Sequence, residues 1–456
     1  MPHTAVTTTR ASSAGTRGRY RSLGLSSRAV DANGYRSDLA RALGADARER
    51  LVRYAQVWTT SHPDSPSAPS TERQLDLSRM LLDELKGLGL DAELSDAGIV
   101  YGTLPGNTDA PTIGLVAHVD TSPDVSGENV KPQVFRYEGG PHALPGDPSQ
   151  VLDPDEWPEL GNHVGHELIS SDGTTLLGAA DKAGVAEIMA AVAYLVRNPD
   201  VPHGSVKIAF TPDEEVGRGV DNFDVDGFGA EVAYTLDGST AGQIQDETFS
   251  ALEARVRFRG RAVHPGYAKD ILVNAIRLAA DFVAALPRDV SPERTDERDG
   301  FIHPTRIDGD AENVEVRMIL REFDEEKLEG HAELVRATAE KIGGAEVEIR
   351  RQYRNMKGYL DAVPRAVELA DEAVRRAGLE PIRSPVRGGT DGSRLSEFGL
   401  PTPNIFTGGQ QYHSQREWVC VADMGAAAET IVHLARLWTE RAKAPEGASA
   451  SQFGSE

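Results

Sequence analysis

Ile113-Gly114-Leu115-Val116-Ala117-His118-Val119-Asp120 is the stretch on which the fold turns. A short run of apolar and small residues reads as a strand buried on both faces, the kind found in largely parallel sheets covered by helices. It ends in an imidazole and a carboxylate two residues apart, which point the same way on an extended chain. The pattern recurs. Val206–Phe210 runs into Glu214-Glu215, Val232–Leu236 runs into Asp237, and His413 follows the Gly408-Gly409 loop. Strands ending in this way bring hard and borderline ligands to one edge of a sheet, where open α/β sheets place their sites. The ligand mix suits zinc or a similar divalent ion.

Each signal has a plainer reading. His118 and Asp120 alone are compatible with a hydrogen-bonded surface pair. Glu214-Glu215 is compatible with an acidic, solvated loop, although adjacent carboxylates at a strand end repel each other unless a cation or proton lies between them. Asp237 is compatible with a helix cap, and His413 with a structural loop histidine.

Around these points the chain of 456 residues is too long for one ordinary core, so two domains are expected. The net charge of −23 argues against nucleic acid and against an anionic membrane surface as partners. Cys420 is the only cysteine, which excludes an intrachain disulfide and points to a reducing, cytoplasmic setting. No apolar run approaches the length of a membrane span. Residues 1–44 are expected to be a disordered basic tail, with arginines at 10, 17, 19, 21 and 28, and 443–456 a second frayed tail.

Helical spacing at 45–57, 74–88 and 182–197, with strands at 112–118, 205–211 and 231–236, predicts an α/β core over 45–242. The passage 121–165 is long, rich in Gly and Pro, and without periodicity, which marks it as functional or disordered. From about residue 243 the order becomes β-α-β-β-α-β, the ferredoxin-like arrangement. This predicts an inserted α+β lid over 243–355, after which the core resumes over 356–442.

The order His-x-Asp, Gly-Ala-x-Asp-Lys-x-Gly, Glu-Glu, Asp and a late His resembles the co-catalytic zinc aminoacylase/carboxypeptidase clan. His118-Val-Asp-Thr-Ser-Pro-Asp124, Phe210-Thr-Pro-Asp-Glu-Glu-Val-Gly217, Arg387-Gly-Gly-Thr-Asp-Gly392 and Pro403-Asn-Ile-Phe-Thr-Gly-Gly409 are most similar to its tripeptide aminopeptidases, the peptidase T family. The resemblance implies a mixed-sheet zinc-exopeptidase core with a lid that also serves dimerisation, two zinc ions per subunit, and short peptides as substrates. It implies that His118 and Asp237 hold one zinc and that Glu215 and His413 hold the other. Asp120 would orient His118, and Glu214 would be the general base. It also implies substrate contacts from His264, across a homodimer, and from Asn274, Arg321 and Arg387.

One position departs from the family pattern. The family carries a metal-bridging aspartate two residues before the lysine of Leu177-Gly178-Ala179-Ala180-Asp181-Lys182, where this chain has Ala180. Sequence on both sides runs without a gap, and a one-residue slip along a strand end turns a side chain to the opposite face. The expectation is a centre that holds at most one ion well and is impaired in catalysis. Asp181 acting as a substitute ligand and an inactivating substitution are the alternatives.

Overall fold

The computed structural model describes residues 30–343 and 345–442. The tail expected at 1–44 lies partly outside them, and that at 443–456 lies wholly outside them. Within the described part, the boundary at 44 needs correction. The first helix is Asp38–Ala55, and the Ser37 side chain caps it by accepting the Ala40 N–H at 2.8 Å. Leu43, Ala47, Leu51 and Tyr54 bury one face of this helix, and Ala40 extends that stripe toward the N-terminus. The stripe is diluted there by polar residues, so the spacing becomes clear only further along.

Eight strands form a mixed sheet in the order Asp91–Leu94, Val100–Leu104, Val206–Thr211, Ile113–His118, Val232–Gly238, Asn404–Phe406, Gln243–Gln245 and Ile382–Arg383. Ile113–His118 is buried at all its positions and runs parallel to both of its neighbours. Gln243–Gln245 pairs in this sheet, antiparallel to Asn404–Phe406, so the unit expected to begin at 243 begins further along. The helix Ala179–Arg197 packs on the strands Ile113–His118 and Val232–Gly238. It is flanked by Asp38–Ala55 and by the closing helix Val421–Ala442. Their apolar faces make one continuous core.

A second antiparallel sheet has the order Phe301–Gly309, Asn313–Glu322, Ser250–Arg259, Ala345–Tyr353. Helices Ala275–Ala285 and Glu325–Ile342 cover one face, and Phe258, Phe282, Val316, Met318 and Leu328 fill a core of its own. This is the ferredoxin-like order anticipated from the sequence.

The passage 121–165 is built rather than irregular. Gln133–Arg136 pairs with Glu167–Ser170, which pairs in turn with Trp418–Cys420 to form a small sheet against the core. Among the described residues, no helix is long and apolar enough to cross a membrane.

Candidate metal centre

The parallel strands deliver their ligands to one edge. His118 is the last residue of its strand, and its ring is buried, with 3% exposure. Its Nε2 lies 3.8 Å from Asp237 Oδ1 and 3.9 Å from Glu214 Oε2. On the other side of the ring, Nδ1 is 3.3 Å from Asp120 Oδ1. Asp120 does further work: its two carboxylate oxygens accept the backbone N–H groups of Glu214 at 3.0 Å and Glu215 at 3.2 Å. One buried carboxylate therefore fixes both the imidazole and the turn that carries the paired glutamates.

That turn depends on Asp213, which adopts φ +63°, an uncommon conformation for a residue with a side chain. Its carboxylate accepts from the Ser70 N–H at 2.6 Å and from Gln74 Nε2 at 2.7 Å, and the Ser70 hydroxyl also donates to it. Its own N–H donates to Gln74 Oε1 at 3.0 Å. The surrounding bonds over-determine the turn and aim Glu214 toward His118 and Glu215 toward His413.

Glu215 Oε1 lies 2.9 Å from His413 Nε2, and Asp124 Oδ2 is 3.6 Å from His413 Nδ1. The hydrogen-bonded Glu215 carboxylate raises the His413 imidazole above its ordinary value, although burial opposes this. Burial would lower His118, but the carboxylates of Asp120, Asp237 and Glu214 outweigh it and raise the ring well above the usual range. Burial lifts Asp237 to about 6 and pushes Glu214 well above a normal carboxylate. Crowded acids of this kind relax when a cation sits among them. With two imidazole–carboxylate pairs, the donor set fits divalent ions of the zinc type.

Ala180 is buried beside this cluster, and its N–H donates to Glu417 Oε1 at 3.1 Å. Glu417 also accepts the N–H groups of Leu177 at 2.9 Å and Gly178 at 2.7 Å, so it holds the segment from Leu177 to Ala180. Asp181 is fully buried and lies beside the His118–Asp237 pair, all three offering ligand atoms within 4.8 Å of one another. Its carboxylate accepts the backbone N–H of His118 at 3.2 Å and that of Gly184 at 3.2 Å. Among the described residues, no corresponding third His, Cys, Asp or Glu completes the Glu215–His413 pair at that spacing.

The smaller unit contributes unevenly. Arg321 lies over the Tyr353 ring at 5.4 Å. Burial first, and the Glu214 charge as well, raise the Tyr353 hydroxyl, while Arg321 opposes the shift. Arg387 donates to the Asp299 carbonyl at 2.7 Å and to Thr295 Oγ1 at 3.0 Å, clasping a loop of the smaller unit. Asn274 caps its helix by accepting the Ile276 N–H at 2.9 Å. His264 is exposed, and its Nδ1 accepts the Gly266 N–H at 3.1 Å.

Three residues at the site carried no signal of their own in the sequence. Glu417 and Tyr353 stand in ordinary surroundings. Asp391 lies within the Arg387–Gly392 motif, where the arginine drew attention; its carboxylate accepts from Thr211 Oγ1 at 2.7 Å, and burial lifts it to about 7.

The family model for peptidase family M20/M25/M40 matches residues 167–437. The chain is 46% identical over 403 residues to a protein named Peptidase T from Geobacillus thermodenitrificans, covering 86% of this chain and 98% of that one. Aminopeptidase PepT from Bacillus cereus shares the fold with a TM-score of 0.67 at 24% identity, over 87% of this chain and 99% of that one. A dinuclear metal-binding M20 peptidase from Bacillus subtilis does so with a TM-score of 0.59 at 16% identity, over 88% and 99%. A strand-edge cluster of two imidazole–carboxylate pairs and a family match of this extent lead to one statement: the chain belongs to peptidase family M20/M25/M40, among its peptidase T members.

Proposed function

We propose that the protein is a metallo-aminopeptidase that releases the N-terminal residue of tripeptides, with His118, Asp237, Glu215 and His413 as metal ligands. The observation that carries this reading is the approach of His118 to Asp237 (3.8 Å) and of Glu215 to His413 (2.9 Å), with the half-buried carboxyl of Glu214 3.9 Å from His118. Zinc suits this donor set, and bound there it would supply Lewis acidity to the scissile carbonyl and acidity to the attacking water. Glu214, raised by burial, takes the proton from that water and returns it to the leaving amine. Asp120 keeps the His118 ring oriented and the two glutamates in register.

Arg321, which lies over the Tyr353 ring at 5.4 Å, would contact the peptide carboxylate. Asn274 and Arg387 join it only when lid closure exchanges their present bonds for the substrate. His264 serves the oxyanion across a homodimer. Tyr267, Ile271, Leu272, Val273 and Ile276 leave an exposed apolar face on the lid beside it, which supports such an interface. Sedimentation as a monomer at working concentration would remove this part of the reading.

A second reading, a catalytically silent peptide-binding homologue, is favoured by Ala180. The Glu215–His413 pair lacks a bridging carboxylate, while both oxygens of Asp181 are engaged by backbone N–H groups on the side of the other pair. This supports one firmly held ion and a second held weakly. Hydrolysis of unblocked tripeptides, compared with dipeptides, N-acylated amino acids and N-blocked tripeptides in the presence of zinc, separates the readings. Preference for free tripeptides supports the aminopeptidase. Faster cleavage of dipeptides or N-acyl substrates would assign a dipeptidase or deacylase, and binding of tripeptides without turnover would assign the silent homologue.

A further inference from the structure

A second group of metal-type ligands is separate from the first. His163 ends the turn Pro158–His163, His166 immediately precedes the strand Glu167–Ser170, and Cys420 ends the strand Trp418–Cys420. Antiparallel pairing sets Cys420 opposite Leu168, which brings the sulfur to the two histidines. The Nδ1 atoms of His163 and His166 are 3.3 Å apart, Cys420 Sγ is 3.9 Å from His166 Nδ1, and ligand atoms of all three fall within 4.8 Å of one another.

We propose that His163, His166 and Cys420 form a separate structural site for a thiophilic divalent ion of the zinc type. A tetrahedral ion with bonds of about 2.0–2.1 Å to nitrogen and about 2.3 Å to sulfur sets its ligands roughly 3.3 Å (N···N) and roughly 3.6 Å (N···S) apart. The side chains already approach that spacing. The far nitrogen of His163, Nε2, lies 3.6 Å from Glu159 and 3.7 Å from Asp423. Carboxylates behind a ligating imidazole are the usual outer partners of such a ring, fixing its tautomer so that Nδ1 faces the ion. Cys420 and His163 are buried and His166 is partly exposed. Binding releases the thiol proton to solvent, and the thiolate becomes the ligand.

The site would act as a clip. It ties the turn and strand containing the histidines to the strand that directly follows Glu417, and Glu417 holds Leu177, Gly178 and Ala180. Gly34, at φ +91°, lies so close to the His166 ring that a Cβ there would stand 2.7 Å from it, so residues before the first helix pack over the site.

The test does not depend on the reading of the catalytic centre, because that centre offers only nitrogen and oxygen and the chain has one cysteine. Any sulfur-to-cobalt charge-transfer band in the near ultraviolet therefore reports Cys420. Metal-free full-length protein titrated with Co²⁺ is expected to develop that band, its final amplitude corresponding to one sulfur-bound ion per chain beyond those taken up by the other centre. It should persist in His118→Ala, be absent from Cys420→Ser, and require at least tenfold more Co²⁺ in His166→Gln. Folded wild-type protein that takes up Co²⁺ without a sulfur band would overturn the proposal and leave a hydrogen-bonded trio. A band insensitive to His166→Gln would overturn it as well, whether or not Cys420→Ser folds.

Discussion

Replacing Ala180 by Asp puts a carboxylate where the peptidase T pattern carries an aspartate, and its expected consequence differs in sign with and without metal. Without metal, the new acid joins Asp237, already lifted to about 6, and Asp181 and Glu214, both raised well above a normal carboxylate by burial. Adding an uncompensated acid to a buried acidic cluster costs about 1–3 kcal/mol, so metal-free A180D should melt below the parent. With metal, the carboxylate lies between two half-sites. Unit charges 4 Å apart at an effective dielectric of 20 interact by about 4 kcal/mol, a dication doubles that, and burying the carboxylate removes several kcal/mol. A net gain near 3 kcal/mol in the affinity of the weaker ion corresponds to roughly 100-fold, at about 1.4 kcal/mol per decade. Melting curves in chelator and in excess zinc, with metal content after dialysis, test both signs. The expected result is crossing stabilities, about one retained ion in the parent against two in A180D, and tripeptide turnover raised by about 100-fold or more. Two tightly retained ions in the parent, with equal turnover, would refute the reasoning.

Three further outcomes are expected. Glu214→Gln should lower turnover by about 10²–10⁴-fold, the usual range for a positioned general base, with metal content unchanged; loss of metal instead would make Glu214 a ligand. Gly184→Ala would set a methyl 1.9 Å from the Leu236 carbonyl oxygen and 2.4 Å from Asp181 Oδ1, so the helix must shift at a cost of about 2 kcal/mol or more, read as a fall in melting temperature. Burial lowers the Lys182 ammonium from 10.5 to about 7 while its Nζ donates to the Val57 carbonyl at 2.7 Å. Because the folded value lies below the unfolded one, the unfolded chain binds the extra proton between about pH 7 and 10.5. This group therefore makes stability rise with pH in that window, by up to about 1.4 kcal/mol per unit, and reduces it as pH falls toward 7. Urea unfolding of metal-free protein across pH 7–9.5 should show a slope that Lys182→Met flattens; parallel curves for the two proteins would contradict it.

The pattern of what the chain discloses in sequence follows from how its contacts are made. Ile113–His118 and Val206–Thr211 were legible because burial on both faces demands uninterrupted apolar runs, and parallel pairing then brings His118 and the Glu214-Glu215 turn to the same edge. The smaller unit was legible because alternation along Ser250–Arg259 and Asn313–Glu322 survives on a sheet with one covered face. Contacts whose partners lie far apart in sequence leave no such trace. Glu417 reaches Ala180 across 237 positions, and Asp213 finds Gln74 across 139, each through one polar side chain with no period to betray it. His163, His166 and Cys420 make the same point more sharply. The histidine spacing and the lone cysteine are both visible in the chain, but only the Leu168–Cys420 pairing gives them a common address. Asp181, beside Ala180, is a further case: its carboxylate accepts the backbone N–H of His118 from 63 positions away and that of Gly184, and so holds the strand end to the helix.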